Sequence, residues 1–300
     1  MKPAAFVLAL ALCGTAQAQQ AAGPDKKIET VIVTAPKLHA GVTPNAIAHD
    51  FVKSFAAPTV LRDAIARWQV AICPDFEGLA QQYVAVMEAR FMTIAGQAGA
   101  RMKEKGCRPN LEVIFTPQPQ DYLDTIHAKN VEILGYHGAT IVTHPIQAWY
   151  VTGTGDIRGQ VTLDEDISNI VGCDISGCHL TEGNMTNSDG WRAHPDVSSD
   201  LLYVTILIDS SKTGSYQVGE IADLVAMMAL SRTEDYDDCQ LMPSITNLLS
   251  ANCDDKLKPS KITASDIAYL RGVYKMDAGA KLQIQQDQIA AEMQKALGGQ

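Results

Sequence analysis

Apolar residues recur at helical spacing from Glu77 to about Lys105, with Leu79, Tyr83, Val86, Met87, Phe91, Ile94, Ala98 and Met102 on one stripe. Gly106 follows as a stop signal, so the pattern predicts one long amphipathic helix. The period then drops towards two. "PNLEVIFT", Pro109 to Thr116, reads as a strand ended by Pro117 and Pro119, and Tyr122, Leu123 and Ile126 share a helical face over Asp121 to Asn130. Ile146 to Val151 and Gln160 to Leu163 are short extended runs on either side of "GTGDIRG", a predicted hairpin turn. "LLYVTILID", Leu201 to Asp209, is the most continuous apolar run and belongs in the middle of a sheet. A helix over Gly219 to Leu230 points Ile221, Leu224, Val225 and Met228 one way. After a loop, "ITASDIAYLRGVY" has Thr263 or Ser265 as N-cap and a stripe of Ile267, Leu270 and Val273.

The pattern thins at both ends. Residues 19–58 sustain no helical period and read as a flexible or extended leader, so the globular domain is placed at 59–276. Ala278 to Leu297 reads as a C-terminal helix with a wide polar face, within a final segment 277–300 expected to stand partly clear of the domain. Ahead of the leader, residues 1–18 combine Lys2, an apolar run from Ala4 to Leu12 and small residues at Ala16 and Ala18, the grammar of a removable signal peptide. Its apolar run is far shorter than the ~20 residues that span a bilayer. Leu12 stands where a lipoprotein signal has a small residue, so Cys13 is assigned to the discarded segment. No later run is apolar enough for a membrane helix, and stable membrane insertion is not expected.

Charge narrows the partners. The 300 residues carry a formal charge of -10 with no Lys/Arg-rich run, so nucleic-acid binding through a basic face is not expected.

Six cysteines follow the signal segment: Cys73, Cys107, Cys173, Cys178, Cys239 and Cys253. An even number in an exported chain reads as disulfides, and nearest neighbours are the preferred partners. Pairing Cys73 with Cys107 conflicts with an unbroken helix between them, so either that helix breaks near Gly96 and Gly99 or the pairing fails. A metal site from Cys173, Cys178 and His179 is the rival reading.

The order helix, strand, helix, hairpins, core strand, helix, loop, helix is similar to that of the zincin metallopeptidases. More narrowly, "IADLVAMMALS", "MPSITNLL" and "ITASDIAYLRGVY", with Thr263, Asp266, Leu270 and Tyr274 spelling T-x-x-D-x-x-x-L-x-x-x-Y, resemble the C-terminal half of an uncharacterised metzincin-like family of secreted bacterial proteins. The resemblance implies an α+β, mixed α/β fold in which a twisted sheet packs on helices under disulfide staples. It covers about half of the mature chain. Zinc hydrolysis on that scaffold needs two histidines one helical turn apart with a glutamate between them. Superposition places Ala222, Asp223, Leu224, Val225 and Ala226 on the motif, so alanines stand at both ligand positions and only the acid survives. No His-x-x-x-His occurs in the chain. Asp223 alone also reads as a helix N-terminal carboxylate favoured by the macrodipole.

No catalytic residue, cofactor or metal ligand is therefore assigned. "CDISGCHL" reads as a disulfide-closed turn rather than a serine-nucleophile loop. Asp164, Glu165 and Asp166 read as a solvated turn rather than a calcium loop, as does "TEDYDD". His144 and His194 precede prolines, and with His137 or His179 they could line a pocket. Trp68, Trp149 and Trp191 read as core anchors.

"ETVIVTA", Glu29 to Ala35, resembles the TonB box of outer-membrane receptors, a peptide captured by strand addition. The resemblance implies that Glu29, Thr30, Val31, Ile32, Val33 and Thr34 bind an envelope partner. An edge strand of the protein's own sheet and a chance match are the other two readings. The chain lacks the alternating strands of a receptor barrel. Together these features point to a periplasmic or secreted accessory or binding protein of a Gram-negative envelope, on a catalytically inactive scaffold. The alternative is an envelope hydrolase with an unrecognised non-zinc site.

Overall fold

The longest apolar run becomes the centre of the sheet. In the computed structural model, which describes residues 43–129, 134, 141–156, 161–164, 197–233 and 238–298, strand β6 (Ser198–Asp209) is buried along nearly all its length. Strands β1 (Arg67–Trp68) and then β3 (Leu111–Thr116) pair with one of its edges in parallel, and β4 (Ile146–Gly155) pairs with the other edge antiparallel. Outside these, β2 (Pro74–Glu77) lies parallel to β3 and β5 (Val161–Leu163) lies antiparallel to β4. The order is β2-β3-β6-β4-β5. A strand flanked on both edges and covered on both faces can be apolar throughout, which is what the sequence pattern carried. The first three residues of the predicted "GTGDIRG" turn, Gly153 to Gly155, are instead strand: β4 runs on through them and they pair with β5, while residues 157–160 lie outside the described residues.

Helices cover both faces of this mixed sheet. The main core joins apolar side chains of the sheet to α1 (Pro44–Phe55), α2 (Gln81–Ala98), α5 (Val218–Leu230), α6 (Ala264–Lys275) and α7 (Leu282–Gly298). On the other face α3 (Pro119–Lys129) places Leu123 and Ile126 against Ile114, Trp149 and Leu207. A four-residue helix, α4 (Ser210–Thr213), follows β6 directly, capped by the Asp209 side chain. The architecture is mixed α/β.

Several expectations are corrected. Residues 44–55 are not leader. Thr43 caps α1, Pro44 occupies the first turn, where proline's fixed φ suits a helix, and Ile47, Ala48, Phe51, Val52 and Phe55 enter the core. Phe51 and Phe55 both meet the ring of Tyr269 on α6 edge-on, at 5.3 and 5.4 Å. At the other end α7 does not stand clear. It buries Ile289, Ala290 and Met293, and Gly272 on α6 lets it approach so closely that a β-carbon there would lie 2.9 Å from the Ile289 Cα.

The predicted long helix is shorter at both ends. Glu77 ends β2 and α2 begins only at Gln81, and it stops at Gly99, whose φ of 95° suits glycine. Its buried stripe is Met87, Phe91, Ile94, Ala95 and Ala98, while Tyr83 and Val86 face outward. Beyond Gly99 the chain doubles back, and Ile72 exchanges backbone bonds with Arg101 and Lys103, both at 2.8 Å. That return removes the conflict over the first disulfide. Cys73 and Cys107 are bonded, their Cα atoms 6.1 Å apart, and Asn110 accepts the Cys73 N–H at 2.6 Å. Cys239 and Cys253 are bonded as well. Cys173, Cys178, His137, His179, His194, Trp191, Glu165, Asp166, the signal segment and Glu29 to Thr34 lie outside the described residues.

Candidate functional site

Ala222, Asp223 and Ala226, the residues on the degenerate motif, sit on a helix with no solvent face. Every residue of α5 from Ile221 to Leu230 is buried, not only the apolar stripe that the period picked out. Ala222 and Ala226 pack in the core. The Asp223 carboxylate is wholly buried and holds three elements together. Arg90 on α2 donates Nε to Oδ1 at 2.6 Å and Nη2 to Oδ2, and the Ile262 backbone N–H, just ahead of α6, donates to Oδ2 at 2.7 Å. A buried carboxylate is tolerable only with a charge partner and donors, and Asp223 has both. Its partner is therefore a guanidinium, and the macrodipole reading is replaced by an interhelical clamp.

The C-terminal end of α5 is closed with equal completeness. A helix end leaves its last carbonyls without intrahelical partners, and burial denies them water. Here Ser231 Oγ donates to the Met227 carbonyl at 3.0 Å, Tyr150 Oη to Met228 at 2.9 Å, Trp68 Nε1 to Ala229 at 2.7 Å and Tyr274 Oη to Leu230 at 3.1 Å. Four side chains from four places in the sequence satisfy four consecutive carbonyls, each of which would cost about 1–3 kcal/mol if left unpaired. Trp68 is thus a donor as well as a core anchor.

The T-x-x-D-x-x-x-L-x-x-x-Y residues also have structural work. Thr263 caps α6 by accepting the Asp266 N–H at 3.1 Å, and Asp266 returns a bond from the Thr263 N–H at 2.9 Å. Asp266 further accepts the Ser244 hydroxyl and the Ile245 N–H, which pins the loop after the Cys239 bridge. Leu270 is in the core. His144 bonds the neighbouring Thr143 hydroxyl at 2.7 Å, on a different element from Asp223. Among the described residues no group of three His, Cys, Asp or Glu side chains is placed to hold a metal ion.

A second cluster of buried polar groups lies elsewhere, at the end of the sheet where β4, β5 and β6 meet. Its register slips between Val151 and Thr152, and such bulges re-aim side chains. Thr152 and Thr154 point one way and donate to the two oxygens of Asp164 at 2.7 and 2.8 Å. Asp200 lies opposite Gly153 and is buried, with Ser198 Oγ donating to Oδ1 at 2.6 Å. Burial pushes the Asp200 carboxyl up to about 6, while Ser198 and the positive charge of Arg67 pull it back. Burial raises Asp164 as well, against its two threonine donors and the charges of Arg62 and Arg232. The Arg62 Nε is buried without an acceptor among the described residues. A carboxyl that titrates near neutrality beside a hydroxyl can exchange protons, but the strand pleat sets Asp164 and Asp200 on opposite sides of β4.

Asp164 does not stand in a solvated turn, because Thr152 and Thr154 take up both of its carboxylate oxygens. The hydroxyl–glycine alternation Thr152, Gly153, Thr154, Gly155 supplies donors on one side and room on the other, so two acids fold inward. That alternation was the available sequence signal. Arg62 and Asp200 carried none.

A shallow groove of about 290 Å³ runs beside α1. Ile47, Phe51 and Met242 are buried along it, with Asp50, Asp238 and the exposed Leu241 among its other lining residues. Compared with protein-family models, characterised proteins and solved structures, the chain matches none of them.

Proposed function

We propose that this chain is an exported accessory or binding protein of the bacterial envelope, periplasmic or secreted, on a metzincin-like scaffold without zinc chemistry. The observation that carries the reading is the filled α5 helix. The position that would hold an active-site acid is occupied by Asp223 in a clamp with Arg90 and the Ile262 N–H, and alanines pack where ligands would stand. A helix used in this way stabilises the fold rather than presenting a metal. Two disulfides favour a non-cytoplasmic compartment, and no helix among the described residues is long and apolar enough to cross a membrane.

Glu29 to Thr34 is the proposed recognition segment, offering main-chain hydrogen bonds to the sheet edge of a TonB-like partner. Deleting residues 19–40 tests it, since α1 with its Thr43 cap remains. Pull-down of envelope proteins and binding to the purified periplasmic domain of TonB are expected to fall at least about tenfold, a difference of about 1.4 kcal/mol. Unchanged binding would remove the segment from the account.

A hydrolase is the second reading, favoured by one observation: Asp200, with its carboxyl raised to about 6, accepts a bond from Ser198.

A further inference from the structure

Asp200 has little to hold its charge. It is 3 % exposed, and Ser198 is its one described side-chain donor. Its second oxygen leans against β4, where a β-carbon at Gly155 would lie only 2.5 Å from Oδ2 and 2.9 Å from Ser198 Oγ. The carboxyl is thus pressed onto a strand that has glycine because nothing larger fits.

The charges around it come from every neighbouring element. Arg67 on β1 pairs in register with Asp200, but its Nη1 is shared among the Val273, Tyr274 and Met276 carbonyls at the end of α6. Tyr274 and Asp277 also act on Arg67. Arg62, on the loop closed by Thr59 and Ala64, feels both Asp164 and Asp200. Asp164, beyond β5, adds a like charge, and Arg232 acts on Asp164 while donating to the Pro58 carbonyl. Asp156, next after Gly155, brings a further carboxylate to this end.

We propose that the junction of β4, β5 and β6 is a proton-gated clasp, closed when the Asp200 carboxyl is protonated and opening locally when it is ionised. Ionised in place, Asp200 is a desolvated anion with the like charge of Asp164 nearby, and Ser198, Arg67 and Arg62 offset only part of the burial cost, so desolvation favours a conformation that restores water. Opening is cheap at this end. β5 has three residues and pairs with Gly153 to Gly155, with one more backbone bond from the Asp164 N–H to the Thr152 carbonyl and the two threonine bonds to Asp164 at its end, and short edge pairings are where local unfolding begins. Opening also lets the Arg62 Nε reach water. The centre of β6, between β3 and β4, has no reason to follow.

The sign follows from the raised carboxyl. A group that binds its proton more tightly in the closed form stabilises that form at low pH, and the contribution is lost as pH rises through about 6.

Amide hydrogen exchange on the intact, disulfide-bonded protein tests this. After correction for the chemical rate, exchange at Gly153–Gly155 and Val161–Leu163 is expected to be about tenfold or more faster at pH 7.5 than at pH 5, with Val204–Ile208 changing less than about twofold. Asp200→Asn, neutral at both pH values, is expected to hold the same amides protected throughout. Equal protection of the wild-type amides at both pH values would overturn the clasp, as would a pH response surviving in Asp200→Asn. Should that variant not fold, a carboxyl NMR titration of wild-type Asp200 decides. A midpoint near 6 that tracks the exchange supports the clasp, and a midpoint near the ordinary aspartate value overturns it.

Discussion

Replacing Arg90 with alanine is expected to cost about 3 kcal/mol of stability, the lower end of what breaking a buried ion pair costs. The lower end applies because Arg90 is 33 % exposed and water can reach part of the space it leaves, whereas Asp223 is not exposed at all. The substitution leaves a carboxylate in the core with the Ile262 N–H as its one remaining donor among the described residues. Three elements lose their shared fastening at once: α2, α5 and the segment leading into α6. Denaturant unfolding reads the effect as a lower midpoint at unchanged slope. Arg90→Lys is expected to recover part of the loss, since an ammonium keeps the charge but not the two parallel bonds. A loss below about 1 kcal/mol, the range of exposed pairs, would contradict the clamp.

Removing the Cys73–Cys107 bridge by a double Cys→Ser change is expected to cost about 4 kcal/mol on loop-closure grounds, against about 3 kcal/mol for Cys239–Cys253. The ranking rests on sequence separations of 34 and 14 residues. The longer loop contains the whole of α2, and the bridge fixes the return of the chain beyond Gly99 onto Ile72. Unfolding of each variant under the same conditions checks the order. Equal or reversed losses would show that the Ile72 pairing already constrains that loop without the bridge.

How far the fold was legible depended on how local its signals were. β6 could be read because burial on both faces demands an uninterrupted apolar run, and Leu201 to Asp209 provide one. The cap at Thr263 was legible for a similar reason, its partner Asp266 being three residues away. α1 was missed although Thr43, Pro44 and the spacing Ile47, Phe51, Phe55 announce a helix, because the polar, alanine-rich run ahead of it masked a short period. β2 was missed because four residues carry too little pattern, and its parallel pairing with β3 is set by the return of the chain after α2.

The candidate sites were legible in identity and not in environment. Asp223 was singled out, but its partner Arg90 lies 133 positions away, and no spacing rule connects them. The donors that close α5, Trp68, Tyr150, Ser231 and Tyr274, are likewise brought together only by the fold. Asp164 reads in sequence as part of a solvated turn, and Asp200 carries no signal at all. Their raised carboxyls come from burial, that of Asp200 against Gly155, which only a register can reveal.

The filled α5 helix is the point on which the functional proposal turns. Metal analysis of the purified protein after exposure to excess zinc and exhaustive dialysis, run alongside a proteolysis assay with and without chelator, tests it most directly. Zinc well below one equivalent and no chelator-sensitive cleavage are the expected results, since Ala222 and Ala226 offer no ligand and Asp223 is committed to Arg90. Stoichiometric zinc together with chelator-sensitive proteolysis would contradict the proposal.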